Sequence, residues 1–237
     1  MNVFKGLIIG GGIILFLNAC TSEPKKTIVC WGDSLTASHA NRPGMKNAVK
    51  RWLQMEVDDS YPGVLQGILG DDYEVVNCGV PGAGASDIMH LQQDSANAMR
   101  DLRGQSCNIF FIGQNGAFSN TSELVEQISS MIDYSECSNY IVISFHKPNL
   151  RIPTPARMSG MEDTLQYYFG EHYINLRSHL IQNGLDEAGM TATQEDLDSI
   201  AHGQVPPQLM EDGLHFKPQG YAIIARLVAD KIKSLHY

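Results

Sequence analysis

Positive charge is what this sequence has least of. Its 17 lysines and arginines stand against 26 aspartates and glutamates, a formal charge of −9, and the only basic group is a small one at Lys46, Lys50 and Arg51. Proteins that bind nucleic acid gather positive charge on one face, so this balance argues against such a partner. Cysteine is also sparse. There are five, none in a Cys-x-x-Cys pair or at the Cys/His spacing of a metal site, so no metal or other cofactor is expected. Low-complexity tracts and internal repeats are missing, which excludes solenoid and compositionally disordered architectures. The one long apolar run, from Leu7 to Leu17, is too short to span a bilayer. What remains is enough chain for a single domain with a sizeable core and one insertion.

The apolar run follows Lys5 and leads into Leu17-Asn18-Ala19-Cys20. Its length and flanks are those of a signal-peptide h-region. Leu-x-Ala-Cys resembles the lipobox of bacterial lipoproteins. The resemblance implies cleavage before Cys20 and lipidation of its thiol and new amino group, and several acyl chains make a stable anchor. Thr21 rather than Asp after the cysteine implies, by similarity to enterobacterial sorting, the outer membrane where the host has one. The alternative is a coincidental cysteine behind an ordinary signal peptide. On the lipoprotein reading the chain divides into a signal peptide (1–19), a short polar tether (20–26) and one exported domain (27–237) held close to its membrane. Such a compartment permits disulfides. Cys107 and Cys137 each precede an apolar run, so a bridge between them and a pair of free thiols are both open; Cys30 and Cys78 read as buried thiols.

Short apolar runs alternate with helical patterns along the domain. Strands are expected over 27–31, 73–77, 108–112, 140–145 and 173–176. Helices are expected over 61–69 behind Ser60, from a cap at Ser86 or Asp87 to about Leu102, across Leu124–Ile132, over 162–169, and from Gln219 to Leu235. The insertion 37–59 carries a short amphipathic pattern from Met45 to Glu56, and 177–210 reads as irregular and partly helical. Alternation of this kind gives an α/β domain with a mainly parallel sheet covered on both faces.

In such a sheet, polar residues placed just after strands converge on one edge. Ser34 follows the first strand in Gly32-Asp33-Ser34-Leu35, Gly79 follows the second, Asn115 follows the third, and Asp212 and His215 share the turn before the last helix. Acyl transfer needs these parts: a hydroxyl nucleophile, a base beside it, a carboxylate to orient the base, and donors for the oxyanion. The Ser34 and Gly79 N–H groups and the Asn115 amide are candidate donors, and the i, i+3 spacing lets Asp212 and His215 ride one turn. Each residue has a plainer reading as well: Ser34 as a helix N-cap, Asn115 as a turn former, His215 as a surface histidine. The glycine loop 79–84 lacks the order of a phosphate-binding loop. His146 follows the fourth strand and is placed to line a cleft. Arg42, Lys46, Arg151 and Arg157 are either contacts for a polar or anionic substrate or solvated loop charges.

Four blocks in order, Gly32-Asp33-Ser34-Leu35, Asn77-Cys78-Gly79, Gly113-Gln114-Asn115 and Asp212-Gly213-Leu214-His215, resemble those of the SGNH/GDSL hydrolase superfamily. The resemblance spans the mature domain. It implies a three-layer α/β/α flavodoxin-like fold with a mainly parallel five-stranded sheet of order 2-1-3-4-5. It also implies Ser34 as nucleophile, His215 as base, Asp212 as its orienting acid, and Ser34, Gly79 and Asn115 as the oxyanion hole. The implied activity is hydrolysis of carboxylic esters, with removal of a small acyl group, acetyl, from a carbohydrate as the first expectation. A lysophospholipase or thioesterase acting on lipid acyl chains and a catalytically silent glycan-binding surface protein are the alternatives. One position departs from the pattern: Gly116 stands where the family usually has Asp, which puts in doubt the loop support that this Asp gives.

Overall fold

The computed structural model describes residues 8–9, 12–13, 24–37, 60–94, 106–147 and 155–237. Cys20, the pattern from Met45 to Glu56, the segment from Met99 to Leu102, and Arg42, Lys46 and Arg151 lie outside these residues.

Five strands make one sheet: β1 (Lys26–Gly32), β2 (Tyr73–Gly79), β3 (Ser106–Phe111), β4 (Tyr140–Ile143) and β5 (Tyr173–Ile174). All neighbours are parallel and the order is β2-β1-β3-β4-β5, which is 2-1-3-4-5. Outside it, Ile8–Ile9 and Gly12–Ile13 pair antiparallel. The helices are α1 (Ser34–Ala37), α2 (Tyr61–Leu69), α3 (Ala85–Asp94), α4 (Thr121–Ser135), α5 (Pro155–Phe169), α6 (Leu176–Glu187), α7 (Gln194–Ala201) and α8 (Pro218–Ser234).

The period-two alternation of the central strands sorts the core into two layers. Ile28, Cys30, Ile109, Phe111, Ile141 and Ile143 face α2, α6 and α8, whose Leu65, Leu180, Tyr221, Ile224 and Val228 complete that layer. Val29, Trp31, Phe110 and Val142 face α3, α4 and α5 through Ile88, Leu124, Ile128, Met161 and Leu165. Hydrophobic residues on both faces of β1, β3 and β4 are what a doubly covered parallel sheet demands.

Local signals set most boundaries. Ser60 caps α2, its Oγ accepting the Gly63 N–H at 3.2 Å, and Asn120 caps α4 through the Glu123 N–H at 3.0 Å. Several expectations are corrected. The helix ending at Phe169 begins at Pro155, not near Glu162, and β5 stops at Ile174, so Leu176 opens a helix. The segment 177–210 holds most of α6 and all of α7, the latter closed by a Thr193–Asp196 capping box. Neither Ser86 nor Asp87 precedes α3. Asp87 sits in its first turn and accepts the Gly84 N–H at 2.9 Å. Cys107 and Cys137 are both buried, and no disulfide joins them. Burial, with Cys30 and Cys137 nearby, pushes the Cys107 thiol well above its ordinary pKa.

Candidate active site

The sharp turn after β1 separates the capping residue from the candidate nucleophile. Asp33, not Ser34, does the capping: its carbonyl accepts the Thr36 and Ala37 N–H groups at 3.1 and 2.9 Å, and its Oδ1 accepts the Leu35 N–H at 2.9 Å. That leaves the hydroxyl of Ser34, the first residue of α1, for another partner. The turn needs glycine at its borders. A Cβ on Gly79 would lie 2.3 Å from the Ala37 backbone nitrogen, and one on Gly32 would lie 2.7 Å from the Phe111 carbonyl oxygen.

The partner of Ser34 arrives from 181 residues away. His215 Nε2 lies 3.0 Å from Ser34 Oγ, and His215 Nδ1 lies 2.8 Å from Asp212 Oδ2. The turn holding this pair is fixed by its own backbone, since Asp212 Oδ1 accepts the N–H groups of His215 and Leu214 at 2.7 and 3.0 Å. Desolvation pushes the Asp212 carboxyl upward, but these two N–H groups and the His215 ring outweigh it and hold the pKa at about 2. Asp212 therefore stays ionised and keeps the Nδ1–H tautomer of His215, so that Nε2 faces the serine as an acceptor.

The three candidate oxyanion donors stand differently. The Ser34 N–H is claimed by no acceptor among the described residues. The Gly79 N–H donates to Asn77 Oδ1 at 3.0 Å. The Asn115 amide donates to Asp33 Oδ2 at 3.1 Å and to the Ala83 carbonyl at 3.2 Å. Gly116 takes a left-handed φ of 76° and accepts the Ala85 N–H at 2.9 Å, so the loop that lacks the family's Asp is tied instead to the start of α3.

Asp33 thus grips both halves of the site, α1 through Leu35 and the third-strand loop through the Asn115 amide; the sequence reads it as a cap or brace of the serine turn alone. Its pKa is raised to about 6, chiefly by burial, against the lowering effects of the Leu35 N–H and of His215. The folded protein therefore takes up a proton near pH 6, while the unfolded chain does so only near 3.8. This contribution to stability is therefore complete below pH 3.8, shrinks as pH rises, and is gone above about 6. The interval corresponds to ~3 kcal/mol. Urea unfolding of the wild type and of Asp33→Asn between pH 4 and 7.5 should show the wild type losing about that much more stability than the variant on going up in pH. Parallel curves would remove Asp33 from this role.

His146 is buried, as a residue following β4 can be, with its ring 4.8 Å from that of Phe216. Desolvation first, then Lys147 and His215, lower its pKa to about 3, so it is neutral. It lines a cleft of about 390 Å³ beside Asp212, whose walls include Lys147, Met158, Glu195, Ser199 and His202. The α7 wall was not legible in advance, because 177–210 carries no clear period. Arg157 is exposed on α5. Among the described residues no group of three or more His, Cys, Asp or Glu side chains is arranged to hold a metal ion.

No family model matches this chain, and no curated protein matches it in sequence. Its likenesses are among solved structures. A proposed lipolytic protein of the G-D-S-L family from Desulfitobacterium hafniense DCB-2 superposes with a TM-score of 0.54 at 18% identity, over 87% of this chain and 99% of that one. The lipase/acylhydrolase from Enterococcus faecalis gives 0.57 at 18% identity, over 89% and 96%. Est24, a carbohydrate acetylesterase from Sinorhizobium meliloti, gives 0.53 at 15% identity, over 89% and 100%. The chain has the three-layer α/β fold of the SGNH/GDSL hydrolases.

Proposed function

We propose that this protein is a serine carboxyl-ester hydrolase that works through an acyl-serine. The observation that carries the proposal is the continuous chain Ser34 Oγ–His215–Asp212, with links of 3.0 and 2.8 Å. In the reaction, His215 Nε2 takes the Ser34 proton as Oγ bonds to the acyl carbon. The same proton passes to the departing alcohol when the tetrahedral intermediate collapses. Water, deprotonated by His215, then releases the acid and restores Ser34. Asp212 stabilises the imidazolium. The Ser34 N–H is the donor available at rest. The Gly79 N–H and the Asn115 amide are recruited as charge develops on the oxyanion, exchanging their present acceptors for a stronger one.

Two finer readings accompany the proposal. The substrate is a small acyl group, acetyl, on a carbohydrate. The mixed polar and apolar lining of the cleft beside Asp212 suits a sugar better than an acyl chain, and one structural likeness is a carbohydrate acetylesterase. The protein is an exported lipoprotein, cleaved and lipidated at Cys20, a reading supported by the sequence from Leu7 to Cys20.

Hydrolysis of p-nitrophenyl acetate, butyrate and octanoate, with Ser34→Ala as control, tests the reaction. Serine-dependent cleavage fastest on acetate is expected. Rates that rise with chain length would favour lipid substrates, and no serine-dependent cleavage of these or of acetylated glycans would overturn the enzyme reading. Asn115→Ala should lower kcat by about 10²–10³ with KM little changed. An unchanged kcat would remove Asn115 from the oxyanion hole.

A further inference from the structure

We propose that the domain stands on its membrane on the strand-start edge of the sheet, seated by the Tyr167–Tyr168 pair, with the edge bearing Ser34 turned away from the bilayer. This rests on the lipid-anchored reading of Cys20.

The C-terminal residue identifies the lower edge. The Tyr237 carbonyl accepts from Lys26 Nζ at 3.5 Å and from the Tyr73 hydroxyl at 3.3 Å, groups on the first residues of β1 and β2. Its hydroxyl meets the Tyr140 N–H, at the start of β4, at 3.4 Å, and His172 Nδ1, just before β5, at 2.8 Å. The strands are parallel, so Ser34 and Asn115, which follow β1 and β3, and Gly79, which ends β2, emerge at the opposite edge.

Chain length then limits orientation. From Cys20 to Lys26 is six residues, which reach at most about 20–22 Å. β1 alone, six steps from Lys26 to Gly32, rises about 20 Å, which uses up the tether before the turns above the strand begin. To press the Ser34 edge on the bilayer, the tether would have to climb the whole strand and the turns above it. It is too short to do so.

A second feature lies at the same edge. Tyr167 and Tyr168 are 83% and 58% exposed, and their rings meet edge-to-face at 5.3 Å. The next residue, Phe169, packs its ring against Tyr140 at 6.5 Å, which places the pair beside the strand starts. Tyrosine rings with a polar tip favour the headgroup region of a bilayer. The charges around this edge are mixed, with Lys25, Lys26 and Lys233 against Asp71, Asp72, Glu74 and Glu171, so attraction to anionic lipid is not the source of the contact. The consequence for substrate class is that Ser34 opens toward esters borne by the compartment, such as acylated glycans, and away from lipids of its own bilayer.

The test uses full-length lipidated protein in phosphatidylcholine–phosphatidylglycerol vesicles that carry a headgroup-linked energy acceptor. A fluorophore is placed either on Asp71→Cys, at the strand-start edge, or on Gln204→Cys, on the cleft beside Asp212. Several-fold stronger quenching of the Asp71→Cys probe is expected, and equal or reversed quenching overturns the proposal. Replacing both tyrosines by serine should narrow the contrast by letting the domain tilt; an unchanged contrast removes the tyrosines from it. Wild-type protein should float with the vesicles and Cys20→Ser should not. Failure of the wild type to float overturns the anchored reading and this proposal together, while its hydrolysis of p-nitrophenyl acetate still reports separately on the esterase.

Discussion

Under the proposed reaction, alanine in place of Ser34 should lower kcat by about 10⁴-fold or more while leaving folding stability within about 1 kcal/mol. The two halves of that expectation have different causes. The Ser34 hydroxyl has His215 Nε2 as its partner at 3.0 Å, so its removal leaves the covalent route without a nucleophile. The turn itself is held by Asp33, which takes the N–H groups of Leu35, Thr36 and Ala37, and none of those bonds is lost. His215→Ala should cost about as much, and the double variant no more than either single one, because nucleophile and base act as a unit. Steady-state kinetics beside urea unfolding of the three variants checks both halves. Multiplicative losses, or a collapse of stability in Ser34→Ala, would mean that the two residues are structural neighbours rather than a catalytic pair.

Glu162→Ala destabilises the fold by about 3–5 kcal/mol. Glu162 and Arg177 are 3% and 5% exposed and meet in a two-pronged ion pair, Nε to Oε1 at 2.6 Å and Nη2 to Oε2 at 2.7 Å. Arg177 Nη1 also donates to the Gly203 carbonyl at 2.7 Å. The guanidinium, carried on α6, therefore joins α5 to the turn after α7, two walls of the cleft beside Asp212. Alanine at 162 leaves this cation buried without its counter-charge, which is far costlier than removing both charges. Glu162→Leu with Arg177→Met should accordingly recover much of the loss. A double-mutant cycle in urea measures it, and a single-variant loss below about 1 kcal/mol would show that water or another group takes over the charge.

These two expectations differ in how far the sequence alone could reach them. Ser34, Asp212 and His215 were legible because each sits at a place that topology makes special. Ser34 and Asn115 follow apolar runs, and Asp212 and His215 share a turn short enough for i, i+3 spacing to bring them together. Glu162 and Arg177 were not legible. Fifteen residues apart in segments with weak periodicity, they are joined only when α5 and α6 pack on the sheet, and no local signal pairs them.

The extent of α5 and α6 was misjudged for a related reason. The polar and small residues of 155–161 and the mixed pattern of 177–187 carry little helical period. They are helical because Met158, Met161, Leu180 and Leu185 find core partners, and tertiary packing overrides weak local preference.

By itself the sequence determined the architecture: alternating apolar strands and amphipathic helices leave a parallel, doubly covered sheet as the arrangement that buries both faces, and parallel strands put every strand-following residue on one edge. Only the tertiary structure decided what those residues do to one another. It brought His215 to the Ser34 hydroxyl, which the turn held by Asp33 leaves free. It gave the Asn115 amide to the same Asp33, whose carboxyl is driven to about 6 by burial. Hydrogen-bond geometry and desolvation arise from atoms brought together across the fold, and order along the chain does not encode them locally.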